Sequence, residues 1–175
     1  EPFVLSLLGF CTAPEIVVAE SLAFAPIVET WTSETYFLEI SNSGAGELLI
    51  TDLQFDVGSS SQIRLANSLP LPLSISPGDD PLRVPLVVTA TNLGELEAAL
   101  LISHNGLRGP IQRVPITGTV VTCDQGCPTA NGVPNCMSGT CEIDSCTSGW
   151  HDQNAITTDG CECGEDRNGL DIGAV

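Results

Sequence analysis

The chain contains no lysine, and its five basic residues, all arginine, stand against 22 acidic ones, giving a net charge of −17 over 175 residues. Without an ammonium group there is no Schiff-base chemistry and no lysine to close a phosphate-cradling loop. A field this negative repels nucleic acid and anionic membrane surfaces, so neither is expected as a partner. The plain reading of the acidity is solubility in a salty or calcium-bearing exterior. No apolar run reaches the roughly 18–20 residues that cross a bilayer, which argues against a membrane span. Amphipathic helical periodicity is also missing. The first residue is Glu1 rather than methionine, so the sequence is expected to be a fragment or an exported chain whose leader has been cleaved.

Cysteine is abundant. Seven of the eight cysteines fall between Cys123 and Cys163, spaced C-x3-C-x8-C-x4-C-x4-C-x14-C-x-C. Between them stand Gly, Asn, Ser, Thr and Pro, with no apolar periodicity, so the segment cannot bury enough hydrocarbon to offset the entropy of ordering it. Cross-links are the usual remedy, each contributing about 2–4 kcal/mol by restricting the unfolded chain. Zinc is the competing use of these thiols, with His151 as a further donor. Structural zinc prefers paired C-x2–4-C hooks, and Cys123/Cys127 and Cys136/Cys141 are only loosely of that form. Disulfides survive in oxidising compartments, which points to an extracellular or cell-surface protein. Cys11, Cys123, Cys127, Cys136, Cys141, Cys146, Cys161 and Cys163 are therefore all read as disulfide cysteines. Seven cannot pair among themselves, so the odd one needs Cys11 or another chain. A lipidated Cys11 is the third option, but Leu8-Gly9-Phe10-Cys11 has a bulky residue where a lipoprotein cleavage site wants a small one.

Residues 1–11 form an apolar arm in which Phe3, Val4, Leu5, Leu7, Leu8 and Phe10 read as a strand apolar on both faces. From residue 12 to 122 short strands alternate with turn signals, the pattern of a β-sandwich. Strands are expected at Glu15–Glu20, Glu34–Ser41, Leu48–Phe55, Ser61–Leu65, Leu82–Ala90 and Glu95–Ser103. Val114, Ile116 and Val120 line the inner face of a last one. Asn42-Ser43-Gly44-Ala45-Gly46 reads as a turn, and the prolines in Leu69-Pro70-Leu71-Pro72-Leu73 bar a central strand there. The fold class is all-β: an immunoglobulin-like β-sandwich with a small disulfide-rich C-terminal module at 123–175.

Pro14-Glu15-Ile16-Val17-Val18, Leu22-Ala23-Phe24, Ile40-Ser41-Asn42-Ser43-Gly44 and Leu48-Leu49-Ile50 carry a resemblance. Later come Ser76-Pro77-Gly78, Asn92-Leu93-Gly94-Glu95-Leu96, Leu100-Leu101-Ile102-Ser103 and Val114-Pro115-Ile116-Thr117-Gly118-Thr119. Together, over residues 12–122, they resemble an abnormal-spindle/hydin-type immunoglobulin-like domain. The tail is similar to the cysteine-rich repeats of large secreted bacterial proteins, through Cys127-Pro128-Thr129-Ala130-Asn131-Gly132, Cys136, Gly139-Thr140-Cys141, Cys146, Gly149-Trp150 and Asp159-Gly160-Cys161-Glu162. It departs from them in placing Cys163 just after Glu162. Bacterial members of the first family are spacers or binding modules of surface proteins, so the resemblance implies architecture and location and transfers no catalytic residues.

Asp152, Asn154 and Asp159, then Asp166, Asn168 and Asp171, offer hard oxygen donors in a loop-rich setting. They are the candidates for a structural calcium, although no complete EF-hand loop is present. No other cofactor is expected. There is no G-x-S-x-G elbow, and His104 lies in a turn where it caps or meets solvent, so catalysis is not expected. The function read from the residues is a non-enzymatic exported structural or adhesive subunit. Its expected partner is itself, in a head-to-tail filament joined by the arm, or other surface proteins. The alternative is a monomeric binding or spacer module of a larger adhesin or lipoprotein.

Overall fold

The computed structural model describes residues 12–165 and 171–172, apart from the side chains of 164, 165, 171 and 172. The arm residues Phe3, Val4, Leu5, Leu7, Leu8 and Phe10, together with Cys11, Asp166 and Asn168, lie outside the described residues.

The described chain is almost wholly β. The strands are β1 (Ile16–Val18), β2 (Leu22–Ala23), β3 (Ile27–Val28), β4 (Tyr36–Asn42), β5 (Leu48–Phe55), β6 (Ile63–Leu65) and β7 (Leu73–Ile75). They continue with β8 (Leu82–Val88), β9 (Gly94–His104) and β10 (Ile111–Val121). One sheet runs β1-β4-β8-β6, and the other runs β2-β10-β9-β5-β7 with β3 also on β10. These are the layers of an immunoglobulin-like β-sandwich. Alternation decides which side chains go inward. Leu38 and Ile40 on β4, Leu100 and Ile102 on β9, and Val114 and Ile116 on β10 are fully buried, while Phe37 and Glu39 between them are exposed. Each such Leu or Ile contributes about 1.5–3 kcal/mol by leaving water.

The first expected strand, Glu15–Glu20, is shorter than its pattern suggests. β1 pairs antiparallel with β4, from Ile16↔Asn42 to Val18↔Ile40. The chain then changes sheets, and β3 pairs parallel with β10 through Ile27↔Val120 and Val28↔Val121. The turn after β4 is locked by Asn42. Its Nδ2 donates to Gly46 O at 2.7 Å and Ile75 O at 2.9 Å, and its Oδ1 accepts from Glu15 N and Gly44 N. Gly44 is required there, because a Cβ would overlap the backbone of Ala13, Pro14 and Glu15.

After β10 the chain forms one turn of helix, α1 (Cys123–Gly126), then a hairpin of β11 (Gly132–Asn135) and β12 (Glu142–Cys146). Last come β13 (Trp150–His151), β14 (Cys163–Glu165) and β15 (Asp171–Ile172) in a small antiparallel sheet. By contacts the chain divides into two units. Among the described residues the first comprises 12–22, 35–86 and 97–116, and the second comprises 23–34, 87–96, 117–165 and 171–172.

Candidate interaction surfaces and the disulfide-rich module

Three disulfides tie the second unit: Cys123–Cys136, Cys127–Cys141 and Cys146–Cys161. The first two lie against each other, with Cys127 Sγ and Cys136 Sγ 3.3 Å apart. Val28, Cys127 and Cys136 make a small core, on which Trp31, Val121, Cys123 and Cys141 pack. Trp31 closes it by donating its Nε1 hydrogen to Cys136 O at 2.7 Å. The turn that presents Trp31 is itself hydrogen-bonded, Trp31 N to Val28 O and Thr30 N to Ala90 O. Thr30 holds a φ of 76°, a conformation that costs a β-branched residue of order 1–3 kcal/mol and persists only when its surroundings enforce it. No sequence signal marked Thr30 or Trp31. Both owe their roles to neighbours far away in the chain.

Cys163 departs from the expected disulfide set. Its thiol is free and buried, and it donates to Gln153 Oε1 at 2.8 Å. Neighbouring Cys161 has already taken Cys146, and an amide oxygen supplies the partner that a buried S–H needs.

Of the calcium candidates, Asp152, Asn154 and Asp159 lie in the β13–β14 connection. Asn154 Oδ1 is already occupied by Ile156 N, and its Nδ2 donates to Asp159 Oδ2 at 3.0 Å. Asp152 Oδ1 is buried without a hydrogen-bond partner, and so is Oε1 of Glu162, whose other oxygen accepts from Gln153 N. Asp171 is placed only as backbone in β15. Among the described residues no three His, Cys, Asp or Glu side chains converge. His104 is a buried structural residue whose Nδ1 accepts from Gly106 N at 2.9 Å, and burial lowers its pKa below 6.5.

Among the described residues, clefts mark two surfaces. In the first unit a groove of about 490 Å3 is lined by Val17, Val18, Leu22, Phe37 and Pro81 among others, and Val17 and Phe37 are 48% and 42% exposed. Arg83 lies over the Phe37 ring at 3.9 Å and pairs with Glu39. In the second unit a cleft of about 390 Å3 has Val28, Pro134 and the Cys123–Cys136 bridge in its lining, with Glu29 and Asp144 beside them. A second cleft of about 300 Å3 lies along Trp31, Thr32 and Ser138. Thr30 and Met137 line both, and Met137 is 94% exposed.

No protein-family model matches this chain, and no curated protein matches it. Solved structures share its fold. The ASH/PapD-like domain of human CEP192 (PapD-like domain 7) is 13% identical with a TM-score of 0.50, over 69% of this chain and 95% of that one. A protein of unknown function from Porphyromonas gingivalis is 16% identical with a TM-score of 0.50, over 61% of this chain and 47% of that one, so the match spans about half of its length. At such identities the likeness establishes the immunoglobulin-like sandwich.

Proposed function

We propose that this protein is a non-enzymatic, exported structural or adhesive module. In this reading residues 12–122 are a sandwich of the abnormal-spindle/hydin type and residues 123–175 a cap of the secreted cysteine-rich kind. Copies join head to tail when residues 3–10 of one add as a strand to the next. Three disulfides in a segment without a large core support export, because such bridges persist only under oxidising conditions. The observation that carries the joining step is the margin of the four-stranded sheet. Among the described residues β1 ends that sheet, and the adjoining groove exposes Val17 and Phe37. An edge strand offers unpaired backbone groups to any strand that arrives, and an apolar groove takes alternate side chains of the newcomer.

Electron microscopy and size-exclusion chromatography of three proteins test the proposal. The full chain should form fibres. Protein lacking residues 1–10, and Val17→Lys at the edge, should remain folded monomers. A full chain that stays monomeric, or a truncation that loses its fold, would instead favour a self-packed module of a larger adhesin or lipoprotein.

A structural calcium belongs to the same reading. The support for it is the pair of buried oxygens without partners, Asp152 Oδ1 and Glu162 Oε1. Hard carboxylate oxygens of this kind are calcium's preferred donors. Millimolar calcium should raise the midpoint of thermal unfolding relative to chelator, and Asp152→Asn should abolish the difference. Equal midpoints with and without calcium would remove the ion from the account.

A further inference from the structure

The two adjoining clefts of the second unit share no lining residue with the groove beside β1, and their chemistry differs from that of the sheet edge. Apolar lining comes from Val28, Pro134 and the Cys123–Cys136 bridge. Charge comes from Glu29 and Asp144, neither of which has an ion-pair partner among the described residues. The side chain shared by both clefts is Met137, an unbranched, polarisable group that adapts to whatever shape meets it. Thr30, also shared, is held at a φ of 76°, the kind of strain that collects at binding positions.

Charge asymmetry points to the occupant. Among the described residues Arg64, Arg83, Arg108 and Arg113 all belong to the first unit, and the second unit carries acidic side chains but no arginine. A cleft with an apolar floor and acidic groups beside it, in a strongly negative unit, selects a cation that also carries hydrocarbon. A second copy of this chain is a poor match, since it has no lysine and its Phe3–Phe10 run is uncharged.

We infer that the clefts around Thr30 and Met137 bind a basic, apolar peptide segment of a partner protein, with Met137 packing on its hydrocarbon and Glu29 and Asp144 facing its lysine or arginine groups.

Met137 is the only methionine in the chain, so a 13C-methyl methionine label gives one signal, at the centre of the proposed site. The full-length chain carrying Val17→Lys, which should stay monomeric and whose substitution lies outside both clefts, is titrated with a short peptide alternating lysine and leucine. Three controls are the same peptide with serine for lysine, oligolysine, and a peptide of this chain's residues 1–12. The lysine-leucine peptide should shift the methyl signal to saturation, and its affinity should fall as salt is raised. The serine peptide and oligolysine should bind at least about tenfold more weakly. The double variant Glu29→Gln, Asp144→Asn should lose about tenfold in affinity for the lysine-leucine peptide while keeping its thermal midpoint. An unmoved methyl signal, equal binding by oligolysine, unchanged affinity of the double variant, or tighter binding of the residues 1–12 peptide would each overturn the inference. None of these readouts depends on fibre formation.

Discussion

At the scale of single residues, polar groups hold the sandwich's turns by being fully satisfied. Asn42 uses both ends of its amide, two donations and two acceptances, where β4 leaves the sheet. His104 accepts from Gly106 N through Nδ1, so it must stay neutral to serve the turn. Burial disfavours its cation and lowers its pKa. The unfolded chain therefore binds a proton as pH falls through about 6.5 while the folded chain does not. This residue's stability term is complete above that pH and declines below it. His104→Asn, which keeps an acceptor on a short side chain, should flatten the loss of stability between about pH 7 and 5 in denaturant titrations. An unchanged slope would show that the imidazole does not titrate in that window.

At the scale of elements, α1 and β3 join the cysteine-rich segment to the end of the last sandwich strand. Gly126 of α1 lies so close to Val28 of β3 that an added Cβ would overlap Val28 Cγ2. Gly126→Ala should destabilise the protein by about 1–3 kcal/mol through overpacking, measured as an earlier urea midpoint. Val28→Ala in the same chain should recover part of the loss. No recovery would place the strain elsewhere. Strands of this sandwich were legible in the sequence where alternation was long. Leu96, Ala98, Leu100 and Ile102 read as one buried face, and β9 buries all four. The exchange of sheets between β1 and β3 was not legible, because β2 and β3 are two residues each, too short for a period. Nor was the Trp31–Cys136 bond, whose partners stand 105 residues apart. Both exist because the folded chain brings distant segments together, and nothing local announces them. The clefts beside Thr30 and Met137 likewise form between segments about a hundred residues apart.

For the whole molecule, oxidation is the condition of the cysteine-rich segment's fold. The three bridges close loops of 13, 14 and 15 residues, each worth about 3 kcal/mol in the chain-entropy model. Together they hold Val28 and Trp31 against the cysteine-rich segment and so shape the clefts. The most direct test is mass-spectrometric mapping of non-reduced peptides from the native protein. The account predicts Cys123 linked to Cys136, Cys127 to Cys141 and Cys146 to Cys161, with Cys163 outside these three bridges. Free thiols at those six positions, or a zinc ion held by them, would contradict it.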